Sequence, residues 1–289
     1  MELSIAVGAL TFYPLDTTLA IAHDAGVEHV EVLLSPRTIR SGGSTIAARA
    51  ARAGVSVTTA HAVLALRPQS LDRKIEVDVA SIKAAAEIDG CRSIVLHTPI
   101  SDTGGSAPVQ RWLDAIAEAR ERSRPSLALA LENRAQNWDG TPAQRLDDVR
   151  YLAAVAGEWD MHVCLDLAHA ASFNLYLPGV IETLRSRLIN VHLSDANRLR
   201  YRGGLLNGLF RDHAMPGHGV LPLDDALSLL IERDYRGPLT LELSPVSLRA
   251  WLPGAPRRRL RAAVEDVRQR LAWLSAGTET PLTHPHRTV

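Results

Sequence analysis

Cysteine is scarce: Cys91 and Cys164 are the only two in 289 residues. They sit in separate apolar runs and neither belongs to a CxxC. That excludes a disulfide framework and leaves both as small buried hydrophobes. Net charge is also missing, because 32 basic side chains balance 32 acidic ones. A protein that lives on nucleic-acid backbones carries a basic surplus, so the balance argues against a DNA or RNA partner, though a local basic patch stays open. No apolar run approaches the ~20 residues of a membrane span. The N-terminal MELSIAVGAL has no basic n-region. Neither a signal peptide nor a membrane association is therefore expected, and a cytoplasmic location is. A glycine-rich phosphate loop is absent too. VGALTFYP, after the first strand candidate, contains no GxGxxG, which sets aside a doubly wound dinucleotide fold.

What is present is alternation. Hydrophobic residues make up 46% of the chain, enough for a full core. Strand candidates fall at Leu3–Val7, His29–Leu34, Val55–Thr59, Ser93–Leu96, Ser126–Leu131, His162–Leu165, Leu188–Leu193 and Leu239–Leu243. Helix candidates lie between them at Thr17–Ala25, Thr45–Ala53, Leu71–Ile88, Ala107–Arg122, Thr141–Ala154, Pro178–Arg187 and Leu223–Arg233. Gly26, Gly54 and Gly90 supply C-terminal stops, and Leu248–Leu274 reads as a final helix. Eight alternating units imply a parallel sheet closed into an α/β (β/α)8 TIM barrel. The expected organisation is one domain over residues 1–275, followed by a disordered tail over 276–289.

Function concentrates where the apolar runs end. Asp166 and His169 close one run, and His192 and Asp195 close the next. Across the chain the strand ends collect His61, His97, Glu132, Asp166, His192 and Glu242, in steps of 36, 35, 34, 26 and 50 residues. In a parallel barrel these ends share one rim. Side-chain alternation places Cys164 and His162 on the face of Asp166. Any one of these residues alone reads as a hydrogen-bonded rim group or a helix cap. Six in succession read as a divalent-metal site, since burying so many carboxylates without a cation is costly. Glu132, Asp166, His192 and Glu242 alone form an oxygen-rich set with one imidazole, which suits Mn, Mg or Co. Engagement of His61 and His97 would favour Zn or several metals.

At these residues the chain resembles the xylose isomerase-like barrel superfamily, which holds ketose epimerases, inosose isomerases and dehydratases, and endonuclease IV. The blocks that carry the likeness are LEN at Leu131–Asn133, DLAH at Asp166–His169, VHLSD at Val191–Asp195, HAMPGHG at His213–Gly219 and LELSP at Leu241–Pro245. The resemblance to single-metal epimerases implies that Glu132, Asp166, His192 and Glu242 hold one divalent ion. It also implies that Glu132 and Glu242 are the acid/base pair and that His169 and Arg198 contact substrate. The resemblance to endonuclease IV implies further metal ligands at His61, His97, His169 and His213. One expected ligand departs from that pattern: an Asp two residues before the last His falls on Arg211, with Asp212 beside it.

Three functions follow as alternatives. The leading one is a metal-dependent isomerase or epimerase acting on a small sugar, ketose or inosose-type substrate by carboxylate proton transfer. The others are a zinc hydrolase or phosphodiesterase of endonuclease IV type, and a non-catalytic ligand-binding barrel. The partner expected is a small polyol or sugar, with homo-oligomerisation open. Arg198, Arg200, Arg202 and Arg211 lie on a long loop, Ala196–Gly219, where they read equally as an anion grip or as solvated residues. Gly203 and Gly204 suggest a mobile segment there. His218 reads as a surface turn residue, Glu31 as a structural or orienting residue, and the basic run Pro256–Arg270 as the solvated face of an outer helix.

Overall fold

A computed structural model describes residues 1–10, 12–64, 69–99, 106–135, 149–199, 201 and 204–278. Eight strands run parallel and close in sequence order: β1 (Glu2–Ala6), β2 (His29–Leu33), β3 (Ser56–His61), β4 (Ser93–His97), β5 (Ala128–Glu132), β6 (His162–Asp166), β7 (Leu188–Leu193) and β8 (Pro238–Leu241). The ring is completed by β8 pairing with β1, Leu239 opposite Leu3. This is the (β/α)8 barrel that the alternation predicts.

Strand alternation explains the two layers of core. In β4 to β6, Ile94, Leu96, Leu129, Leu131, Val163 and Leu165 point outward and pack with the helices. Val95, Ala130 and Cys164 point inward and pack with one another. Two residues further along the same inward face stand His97, Glu132 and Asp166, each the last residue of its strand. On β4 to β6 the interior is therefore filled by small apolar side chains, with the polar residues of these strands lifted to the C-terminal mouth. Both cysteines are buried, as expected.

The outer layer begins with α1 (Leu15–Asp24), α2 (Pro36–Ser41), α3 (Gly43–Arg52), α4 (Leu71–Ala86), α5 (Ser106–Ser123) and α6 (Val149–Glu158). It continues with α7 (Leu167–Ser172), α8 (Leu177–Leu184), α9 (Gly204–Phe210), α10 (Leu223–Glu232), α11 (Pro245–Leu248) and α12 (Ala255–Thr278). Gly26, Gly54 and Gly90 have positive φ, as helix stops in the left-handed region should. The Ser70 hydroxyl accepts the Arg73 amide and starts α4.

Four helical readings need correction. α2 was not legible from periodicity, because it is a single turn held by a Ser35–Thr38 capping box. The long loop after β7 contains α9 and pairs with the strand end through an Asp195–Ala214 bridge. The final helix does not begin at Leu248. Arg249 adopts a left-handed φ of 50° after α11, and α12 starts at Ala255, beyond Pro253 and Gly254. α12 then runs on to Thr278, into the start of the expected tail, whose remainder from 279 lies outside the described residues. So do residues 141–148 of the fifth helix candidate, together with Arg200, Arg202 and Gly203.

Candidate metal centre

The register brings the expected ligands side by side. His97 is opposite Glu132 on neighbouring strands, and Asp166 is opposite His192. Glu242 follows β8 immediately, and its amide is held by the Leu193 carbonyl at 3.1 Å. Three groups of metal-type ligand atoms result, each within 4.8 Å: His61–His97–Glu132, Glu132–Asp166–His192–Glu242, and Asp166–His169–His213. Glu132 and Asp166 are each shared by two groups. All eight histidines and carboxylates named from the sequence therefore converge.

Glu132 is the hub. Its Oε2 lies 2.6 Å from His97 Nε2 and 3.2 Å from His61 Nε2, and its Oε1 lies 3.3 Å from His192 Nδ1. His192 Nδ1 also lies 2.7 Å from Glu242 Oε2. Yet His192 Nδ1, Glu242 Oε2 and Asp166 Oδ2 are all buried without a hydrogen-bond partner among the described residues. Three such atoms in one four-residue group are what a cation would satisfy. A hard divalent ion fits this donor set of three carboxylates and one imidazole.

Several residues hold the ligands in place. Asn133 forms two bonds to the Asp166 backbone, with its Oδ1 accepting the amide at 2.8 Å and its Nδ2 donating to the carbonyl at 2.9 Å. This ties the end of β5 to the end of β6. Asp166 uses Oδ1 to cap α7, accepting the His169 amide at 2.6 Å, and so leaves Oδ2 to face the group. His169 Nδ1 donates to the Asn133 carbonyl at 2.9 Å, which orients the ring toward Glu132. His213 is presented from the loop in a left-handed conformation, φ 56°, with its carbonyl accepting Ser244 N and Ser247 Oγ, each at 2.9 Å. A non-glycine residue there is strained, and strain of this kind gathers at functional sites.

The charges follow from this crowding. Burial pushes the Glu132 carboxyl up, but the His97 and His192 imidazoles override it and hold it well below the usual carboxylate range. Glu242 is lowered in the same way, chiefly by His192. Asp166 goes the other way, raised by burial and by the Glu242 and Glu132 charges. His61 is pushed down by burial yet held at about 9 by Glu132. Burial, which Glu132 does not offset, takes His97 to about 4.

One sequence reading is corrected here. Asp195 is not directed into the cluster. Its carboxylate accepts the backbone amides of Ala196, Gly219 and Leu221 at 2.8, 2.8 and 3.0 Å, stapling the long loop. Gly219 is required by that staple, because a Cβ there would stand 2.2 Å from Asp195 Oδ1. The departure at Arg211 stands in the structure: Asp212 does not replace the missing third-metal ligand, since Arg211 binds both of its oxygens. Arg198 is exposed on the loop after β7, and His218 is exposed as expected. Glu31 is buried and contacts His192, and two residues not singled out from sequence, Asn190 and Thr240, join it. Only the inward strand period could have pointed to this pair: they stand two residues before His192 and Glu242.

Comparison with known proteins agrees with the barrel fold. An uncharacterized protein of Mycobacterium leprae is 24% identical over 271 residues, which covers 86% of this chain and 91% of that protein. One from Mycobacterium tuberculosis is 24% identical over 282 residues, covering 86% and 92%. Among solved structures, an L-ribulose 3-epimerase matches 99% of this chain and all of its own, with a TM-score of 0.72 at 16% identity. A D-tagatose 3-epimerase-like protein matches 96% of this chain, with a TM-score of 0.69 at 18% identity. At these identities the structures share the fold. A family model described as xylose isomerase-like TIM barrel matches residues 19–276, and the chain belongs to that family.

Proposed function

We propose that the protein is a divalent-metal-dependent isomerase or epimerase of a small polyhydroxylated carbonyl compound, of sugar, ketose or inosose type. The observation that carries this reading is the four-residue group in which Glu132, at the end of β5, and Glu242, just after β8, both approach the same His192 nitrogen. Glu132, Asp166, His192 and Glu242 would hold the ion. When bound, it supplies Lewis-acid polarisation of adjacent carbonyl and hydroxyl oxygens. The two glutamates do the proton work. One carboxylate takes the proton from the carbon beside the carbonyl, and the other glutamate returns a proton to that carbon or its neighbour. Both carboxylates are held below the usual range in the metal-free protein, so the proton that the second glutamate returns is taken up from solvent as substrate binds, and after turnover a proton sits on the opposite glutamate. His169, anchored by Asn133, and Arg198, on the loop, are assigned to substrate hydroxyls. The structural likeness to an L-ribulose 3-epimerase and a D-tagatose 3-epimerase-like protein supports the substrate class.

A second reading, a zinc phosphodiesterase, is favoured by one observation: Glu132 and Asp166 are shared among three adjoining ligand groups, as bridging carboxylates of a multinuclear site would be. The buried Arg211–Asp212 pair opposes a complete third site.

The test is solvent exchange. The chain is loaded separately with Mn, Mg, Co or Zn and incubated in D2O with a panel of ketoses and inososes. Deuterium is expected at the carbon beside the carbonyl, and Glu132→Gln and Glu242→Gln should abolish it. Absence of exchange across the panel, together with zinc-dependent cleavage of an abasic-site duplex, would replace the first reading with the second.

A further inference from the structure

Beneath the metal group runs a buried chain of hydrogen bonds that no ligand assignment uses. Glu31 is on β2 and His192 is on β7, with β1 and β8 between them, so the Glu31 side chain reaches through the barrel interior. It is 1% exposed. Its Oε2 lies 2.8 Å from Asn190 Nδ2 and 3.1 Å from His192 Nε2. An ionised carboxylate only accepts, so both nitrogens must donate. Glu31 takes the amide NH2 of Asn190, and the Thr240 hydroxyl, donating to Asn190 Oδ1 at 2.9 Å, completes that orientation. Asn190 Nδ2 and His192 Nε2 are 3.3 Å apart, two donors aimed at one oxygen.

The other side of the ring agrees. Nδ1 and Glu242 Oε2 stand 2.7 Å apart, but not along a direction in which a ring N–H could donate. Neither atom makes a hydrogen bond among the described residues. Two lone-pair atoms at that separation are stable together when they share a cation.

We infer that Glu31, supported by Asn190 and Thr240, is a positioning residue that holds His192 as the Nε2–H tautomer, keeping the Nδ1 lone pair directed into the metal group. The inference rests on the metal reading above. A carboxylate behind a ligating imidazole fixes its tautomer and raises its basicity as a donor. Glu31 would thereby strengthen metal binding without touching the metal. If Glu31 were merely a polar filler of the barrel, its loss would affect stability and leave metal affinity alone.

The experiment uses the full chain, stripped with a chelator and reloaded with Zn(II) as a diamagnetic probe. In 15N-histidine spectra of the loaded wild type, His192 is expected to carry one N–H, on Nε2. Zinc affinity, measured by competition with a chromophoric chelator, is expected to fall roughly 10- to 100-fold in Glu31→Gln. A smaller loss is expected in Thr240→Val, where the Asn190 amide is released to flip. Thermal unfolding confirms that each variant is folded. A proton on Nδ1, or a folded Glu31→Gln that binds zinc within about twofold of wild type, overturns the inference and leaves the metal reading standing. If Glu31→Gln does not fold, Thr240→Val decides: unchanged affinity with an unmoved Nε2–H signal overturns it. A wild type that takes up no zinc, manganese, magnesium or cobalt overturns the metal reading and this inference with it.

Discussion

Arg211 holds the Asp212 carboxylate through two hydrogen bonds, Nε to Oδ1 at 2.6 Å and Nη2 to Oδ2 at 2.7 Å, with both side chains buried. The Asp212 charge is near enough to help raise the His169 imidazole. Its oxygens are committed to the guanidinium, however, and a metal beside His169 and His213 would have to compete with that grip. The chain is expected to bind fewer than three zinc ions, and elemental analysis of zinc-saturated protein finding three would refute this. Arg211→Gln strands a buried carboxylate. It should destabilise the fold by about 3–5 kcal/mol, read from urea unfolding.

His61 gives the metal-free protein a signature in pH. Its folded-state value of about 9 is above the ordinary 6.5, because Glu132 outweighs burial. The folded state therefore binds this proton more tightly than the unfolded state does. The stabilisation is full below pH 6.5 and is lost as pH rises through 9, on the order of 3 kcal/mol. His97, lowered to about 4, acts oppositely: its contribution is present above pH 6.5 and is lost as pH falls through 4. Urea unfolding of chelator-stripped protein from pH 6 to 10 should show the first loss, and His61→Asn should remove it. A flat profile between pH 6.5 and 9 would contradict the assignment.

The sequence made the barrel and the ligand ring legible for one physical reason. A strand with a two-residue period, ending at the same rim as its neighbours, leaves a polar residue at the end of an apolar run. His61, His97, Glu132, Asp166, His192 and Glu242 all obey that rule. Asp195 follows the same apolar run as His192, yet it turns to the Gly219 and Leu221 amides because the loop folds back over it. Such a return contact has no periodicity to read. Asn190 and Thr240 were equally silent, since an isolated polar residue inside a strand gives no signal until its cross-barrel partner is known. The helix starting at Ala255, and not at Leu248, was decided by Arg249 in a left-handed conformation that propensity does not foresee.

Away from the mouth, Asp78 on α4 carries an unusual load. Its Oδ2 accepts the Trp112 indole N–H at 2.7 Å and pairs with Lys74, which also lies over the Trp112 ring. Asp78 and Trp112 are fully buried, so this triad locks α4 to α5 in a low-dielectric setting. Asp78→Ala leaves the Lys74 ammonium unpaired and should cost about 3–5 kcal/mol. Trp112→Phe keeps an aromatic ring but loses the N–H donor and some buried volume, for about 1–3 kcal/mol. Urea unfolding of both variants orders these costs. If Asp78→Ala proves the milder change, the triad does not act as a charge-paired unit.

Metal removal should register in stability before any substrate is known. Asp166 divides its carboxylate, with Oδ1 capping α7 and Oδ2 left without a hydrogen-bond partner toward the group. Asp166→Asn can keep the capping oxygen, and Asn133 still holds the backbone at that position. The variant should therefore fold while losing a ligand. It also loses a negative charge that sits buried beside Glu132 and Glu242, so without metal it should be at least as stable as the wild type. An ion present at 100 times its dissociation constant stabilises the folded state by about 2.7 kcal/mol. For a chain of 289 residues that raises the unfolding temperature by roughly 4–5 °C. Wild-type protein should lose that increment on chelation and regain it with added divalent ion, whereas Asp166→Asn should show no increment in either state. Equal metal-induced shifts in the two proteins would mean that the ion is held elsewhere, and a wild type indifferent to both chelator and metal would remove the metal from the account.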